Sequence, residues 1–137
     1  MAEGGKRLRE CIERAAAEGR RALIPFLPAG YPHTDSFWDH IRELDRSGAD
    51  IIEIGVPFSD PVADGQAVEE ASQQSLALGV DLDWIFSGLG RVRDEIGAEL
   101  VLMGYVNPFL QYGWERLARR MGECRVSGLI APDLPLE

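Results

Sequence analysis

Cysteine and histidine are scarce, with two of each in 137 residues. Cys11 and Cys124 stand far apart, with no second Cys or His at metal-ligand spacing. That speaks against a disulfide framework or a zinc site and for two free thiols in a reducing compartment. His33, in a turn after Pro32, and His40, on a helix among charged neighbours, form no metal signature and read as solvent-exposed. No stretch approaches the roughly eighteen unbroken apolar residues of a membrane span. The opening MAEGGKRLRE lacks the apolar core of a signal peptide, so the expectation is a cytoplasmic protein. A surplus of positive charge is also missing: the net charge is −9 and the basic residues are dispersed. A nucleic-acid partner is therefore not expected. Without a linker or low-complexity stretch, residues 1–137 read as a single domain.

What is present is an alternation of short apolar runs with amphipathic segments. Residues 5–18 read as a helix with Leu8, Cys11, Ile12 and Ala15 on one stripe. ALIPFLPAG (22–30) suits a buried strand, and Thr34 is placed to cap a helix over 35–47 with Phe37, Ile41 and Leu44 on one face. A strand follows at 50–56, then helices at 66–78 (Val68, Ala71 and Leu76 apolar) and 82–96 (Leu82, Ile85, Leu89 and Val92). ELVLMGYVN (99–107) reads as a third strand, Trp114–Met121 as a helix, and the run from 127 as a fourth strand stopping at Pro132. Buried strands alternating with helices predict an α/β fold with a parallel sheet and right-handed crossovers.

In such folds the chemistry gathers where strands end. The second strand, IIEIGVPFSDPVADG, carries Glu53 among isoleucines. Alternation puts Ile51, Glu53 and Gly55 on one face and Ile52, Ile54 and Val56 on the other. A buried carboxyl either finds a partner, such as an Arg or a hydroxyl, or raises its pKa and holds a proton near neutrality. The second state suits general acid–base catalysis. Asp60 and Asp64 lie in a Pro- and Gly-rich loop where Asp is ordinary turn chemistry. The third strand ends with Tyr105 and Asn107, the fourth with Asp133 and Glu137. A strand-end Tyr is also compatible with core packing and a wet hydroxyl.

PFLPAGYP, GADIIEIGVPFSDPVADG, GYVNPF and APDLPLE, in this order and spacing, closely resemble the tryptophan synthase alpha subunit family. The resemblance runs over essentially the whole chain. It implies a (β/α)₈ TIM barrel that cleaves indole-3-glycerol phosphate to indole and glyceraldehyde 3-phosphate by a cofactor-free retro-aldol reaction. Indole then passes through a tunnel to a beta subunit, to which the pyridoxal phosphate belongs. Carried over by motif position, Glu53 manages the protons at indole C3 and the glycerol hydroxyl. Asp64 holds the indole N–H and stabilises the charge developing on the ring. Phe26, Met103 and Tyr105 should line the indole pocket with Ile130 nearby, and Pro57, Asp60 and Pro61 should contact the beta subunit.

Two local departures show: Gln66 stands where the family usually has Pro, and Pro28 where Thr is common. The first removes a pre-set turn and the second a hydroxyl, both near the loop carrying Asp64. A barrel of this kind needs roughly 250 residues. The expectation is therefore the first four βα units, a half-barrel with an N-terminal helix. Its edges and inner face would be open, whether it is part of a complete subunit or closes by pairing, for instance as a homodimer of half-barrels. Besides the lyase, two other readings stand: a non-catalytic interaction module that keeps the beta-contacting loop, and another phosphosugar-binding barrel.

Overall fold

The computed structural model describes residues 2–59 and 64–135. The chain runs α1 (Ala2–Ala17), β1 (Phe26–Pro28), α2 (Phe37–Arg46), β2 (Ile51–Gly55), α3 (Gln66–Ala77), α4 (Leu82–Val92), a 3₁₀ turn (Arg93–Glu95), β3 (Glu99–Met103), α5 (Val106–Tyr112), α6 (Trp114–Glu123) and β4 (Val126–Ile130). The strands form one parallel sheet in the order β1-β2-β3-β4. This is the parallel α/β arrangement expected from the alternation.

The two faces of the sheet differ in chemistry. Ile52 and Ile54 of β2 and Leu100 and Leu102 of β3 are fully buried on the outer face. There they join Phe37 and Ile41 of α2, Ile85, Phe86 and Leu89 of α4, and Leu117 of α6 in one core. Each such side chain contributes on the order of 2 kcal/mol by leaving water, so this face holds the fold together. The inner face carries a second, small cluster of Leu8, Cys11, Ile51 and Val101, where α1 crosses the N-terminal ends of the strands.

Register aligns the inner face into rows. Phe26, Glu53, Val101 and Gly128 stand side by side, and Pro28, Gly55, Met103 and Ile130 form the next row. Ser127 is an extra residue between the pairs Leu100–Val126 and Val101–Gly128. This bulge lets its hydroxyl reach Glu99 Oε2 at 2.5 Å while Arg7 of α1 donates to both groups. Helix α1 lies so close to β4 that a Cβ on Gly4 would overlap the Ser127 carbonyl oxygen.

Several local expectations are corrected. Helix α2 starts at Phe37 with Ser36 as N-cap. The turn before it is held by His33 instead of Thr34: the His33 carbonyl accepts from Ser36 and Phe37, and its Nδ1 accepts from the Asp35 amide. Strand β1 is cut to three residues, since Pro25 and Pro28 have no N–H to give to a ladder. The run 99–107 stops as a strand at Met103, and Val106–Tyr112 is a helix with Pro108 in its first turn, where proline is tolerated. Asn107 is thus on α5, not on a strand end. Strand β4 begins at Val126 and ends at Ile130. Ile12 of the predicted α1 stripe is 47% exposed, because Leu8, Cys11 and Ala15 suffice to face the sheet. On α3 the buried face is Ala71, Ser72 and Ser75, whereas Leu76 is exposed. Both cysteines are free and buried, and burial pushes their thiols up.

Candidate active site

Glu53 sits at the middle of β2 on the inner face, half-buried. Among the described residues its carboxyl has no hydrogen-bond or ion-pair partner, and desolvation alone raises its pKa above the usual carboxylate range. Of the two fates open to such a group, no partner is found among the described residues and the pKa is raised. The Phe26 ring of β1 lies over Gly55, two residues further along β2: a Cβ there would come within 2.7 Å of Phe26 Cζ. Glycine at 55 therefore leaves the ring a place beside Glu53.

Beyond this row, a crevice is lined by Phe26, Pro28, Gly55, Val56, Pro57, Asp64, Val68, Ser72, Met103 and Tyr105. Four residues singled out in the sequence, Asp64, Phe26, Met103 and Tyr105, thus meet at one end of the sheet. The crevice encloses only about 10 Å³, room for about one water molecule. Ile130 stands in register with Met103 at the edge of the same row, 44% exposed. Tyr105 is buried at the N-cap of α5, and its ring lies 5.6 Å from that of Phe58.

The loops around this end are tied together by backbone bonds to side chains. The Val106 amide donates to Asp133 Oδ1 at 2.9 Å, so the loop after β4 caps α5. The Phe58 amide donates to Ser72 Oγ at 3.0 Å, and the same hydroxyl donates to the Phe58 carbonyl at 3.3 Å. Neither Phe58 nor Ser72 was singled out by sequence. The signal for Ser72 was a hydroxyl one turn beyond Val68 on the helix after Asp64. Pro57 is buried, forming a wall between the crevice and an outer groove of about 450 Å³ that includes Asn107. Asp60, Pro61 and Glu137 lie outside the described residues. Gln66, the first residue of α3, bonds to Glu70 Oε1, and Pro28 lines the crevice.

Among the described residues no group of three or more His, Cys, Asp or Glu could hold a metal ion. Nor is any described helix long and apolar enough to cross a membrane.

Comparison with known proteins matches residues 12–137 to the family described as tryptophan synthase alpha chain. The tryptophan synthase alpha chain of Nitratidesulfovibrio vulgaris is 56% identical over 131 residues, 96% of this chain and 51% of that protein. Among solved structures, the tryptophan synthase alpha subunit of Legionella pneumophila superposes with a TM-score of 0.89 at 33% identity, over 94% of this chain and 50% of that one. One chain of the Pyrococcus furiosus tryptophan synthase complex superposes at 0.76 and 35% identity, over 83% and 47%. The chain spans about half the length of the curated relatives it matches.

Proposed function

The chain belongs to the tryptophan synthase alpha chain family, and on that footing we propose that Glu53 and Asp64 serve the retro-aldol cleavage of indole-3-glycerol phosphate to indole and glyceraldehyde 3-phosphate. The observation that carries this reading is the lone Glu53 carboxyl, desolvated on the inner face beside the Phe26 ring. In its acid form Glu53 protonates indole C3, giving a cationic indolenine. The glycerol hydroxyl on the carbon attached to the ring then gives its proton to the Glu53 carboxylate left by that step. The carbon–carbon bond breaks, its electron pair returns to the ring, and the aldehyde forms. Asp64 accepts the indole N–H and stabilises the charge that exists only beyond the ground state, where such an interaction accelerates the reaction. Phe26, Met103 and Tyr105, with Ile130 at the rim, supply the apolar walls.

The reaction asks for no cofactor on this chain. The partner in this reading is a tryptophan synthase beta subunit, the holder of pyridoxal phosphate, docked on the loop of Pro57, Asp60 and Pro61. That Pro57 lines the groove containing Asn107 supports the placement.

The test is indole release from indole-3-glycerol phosphate by the 137-residue chain and its Glu53→Gln variant, with and without a beta subunit. Positioned acid–base groups contribute roughly 10²–10⁴-fold, and a loss of that size in the variant is expected. The wild-type rate should also fall as pH rises through the raised pKa of Glu53, because the acid form disappears. Equal release by both proteins refutes the role of Glu53, and release by neither refutes the activity for this chain.

A further inference from the structure

Helix α3 presents hydroxyls, not hydrocarbon, on much of its buried face. A serine within a helix commonly turns back to the carbonyl four residues before it. Ser72 instead reaches out of its helix and bonds both backbone groups of Phe58. Its side chain and Asp64 line the same crevice. Gly65 caps α3, so Asp64 lies immediately before the helix that carries Ser72. Phe58 is on the opposite stem of the same loop, and its ring packs on Tyr105.

We infer that Ser72 is a positioning residue for the reaction proposed above. One buried hydroxyl ties the incoming stem of the loop, at Phe58, to the helix that starts just after Asp64, and so fixes where Asp64 stands relative to Tyr105. This rests on the reading of Asp64 given in the preceding section. An Ala at 72 keeps the helix and removes the tie. Misplacing a charge-stabilising group by about 1 Å can cost on the order of 10²-fold in rate. Because Asp64 acts on charge absent from the ground state, the loss belongs in kcat with little change in KM.

The experiment compares the full chain with Ser72→Ala and Ser72→Thr, in two arms. In the kinetic arm, with a beta subunit present, Ser72→Ala is expected to lower kcat about 10–100-fold with KM nearly unchanged, and Ser72→Thr, which keeps the hydroxyl, to restore most of it. Wild-type kcat in Ser72→Ala, or equal impairment of both variants, overturns the inference. In the second arm, amide exchange and ¹H–¹⁵N spectra are recorded without substrate. Ser72→Ala is expected to speed exchange at Phe58 and shift Asp64, Gly65 and Tyr105 while leaving Ile52 and Ile54 as they are. Unchanged Phe58 exchange, or loss of protection throughout the sheet, overturns it as well. If the wild type releases no indole, the proposed function fails, and the second arm alone decides whether Ser72 sets the loop.

Discussion

Substituting Gly55 by Ala isolates the inner face from the rest of the fold. The added Cβ would lie 2.7 Å from Phe26 Cζ, 2.9 Å from Cε2 and 3.3 Å from the Pro28 Cα. To restore an ordinary contact of about 3.4 Å, the Phe26 ring must retreat by about 0.7 Å, whereas the backbone at Pro28 has almost nothing to absorb. Overpacking of this kind costs typically 1–3 kcal/mol. The lower end applies here, because Phe26 is only partly buried and faces an open surface. Ala also narrows the unfolded ensemble relative to Gly, a gain of about 0.4–1 kcal/mol where the backbone is compatible, as within a strand. The net loss in stability is expected not to exceed about 1 kcal/mol. Urea unfolding of the wild type, Gly55→Ala, Phe26→Leu and the double variant measures it, with midpoints compared at constant m. Leu lacks the ring atoms that clash, so the Gly55→Ala penalty should shrink in that background, giving a coupling of at least about 0.5 kcal/mol. Additive effects, or a loss above about 3 kcal/mol for Gly55→Ala alone, would refute the placement of the ring over Gly55.

Two further outcomes follow from other parts of the molecule. Arg20 holds the Asp50 carboxylate in two hydrogen bonds of 2.8 and 2.9 Å, and the Leu23 amide adds a third. These bring the Asp50 pKa down to about 2 from 3.8. A depressed carboxylate pKa stabilises the fold above the unfolded value, and the contribution is lost as pH falls from about 4 to about 2. Because Arg20 is exposed to screening, the contribution is small. Melting temperatures of the wild type should therefore converge on those of Asp50→Asn over that window, and parallel curves would refute the assignment. The second outcome concerns β1 and β4, which leave both edges of the parallel sheet unpaired among the described residues. The 137-residue chain is expected to self-associate at micromolar concentration. Sedimentation as a monodisperse monomer with a cooperative melt would count against that.

The parts of the fold that could be read in the sequence are those where one physical rule dominates. Ile52 and Ile54, alternating with Glu53, mark a strand buried on its outer face, and Leu82, Ile85, Leu89 and Val92 at helical spacing all prove buried. The setting of Glu53 was legible for the same reason: a carboxyl amid isoleucines either takes a partner or is desolvated with its pKa raised, and the second is what the structure holds. Helix α5 was not legible. Asn107-Pro108 reads as punctuation after a strand, and the group that caps the helix, Asp133, arrives from 27 residues away. Ser72 was hidden too: nothing in the order of residues distinguishes a serine facing water from one that clamps a loop 14 residues earlier. Leu76 shows the converse, an apolar residue left outside because hydroxyls occupy the buried side of its helix.

The inner face supplies its own control for the reading of Glu53. Glu99 lies on the adjacent strand and the same face, in register with Ile51, two residues before Glu53. It too is an acid projecting from a strand of the sheet. At that end the fold provides Arg7 from α1 and the Ser127 hydroxyl from a bulge placed for the purpose. The protein thus has the means to satisfy an inner-face carboxyl, and it uses two elements, α1 and β4, to do so. At Glu53 it supplies a glycine, a phenyl ring and no partner among the described residues, which leaves the carboxyl desolvated and its pKa raised. An unpaired buried acid lowers stability at neutral pH, since its charged form is penalised by burial. Where a neighbouring acid of identical type is fully provided for, the bare one is consistent with the acid–base role proposed for it, since burial favours its protonated form.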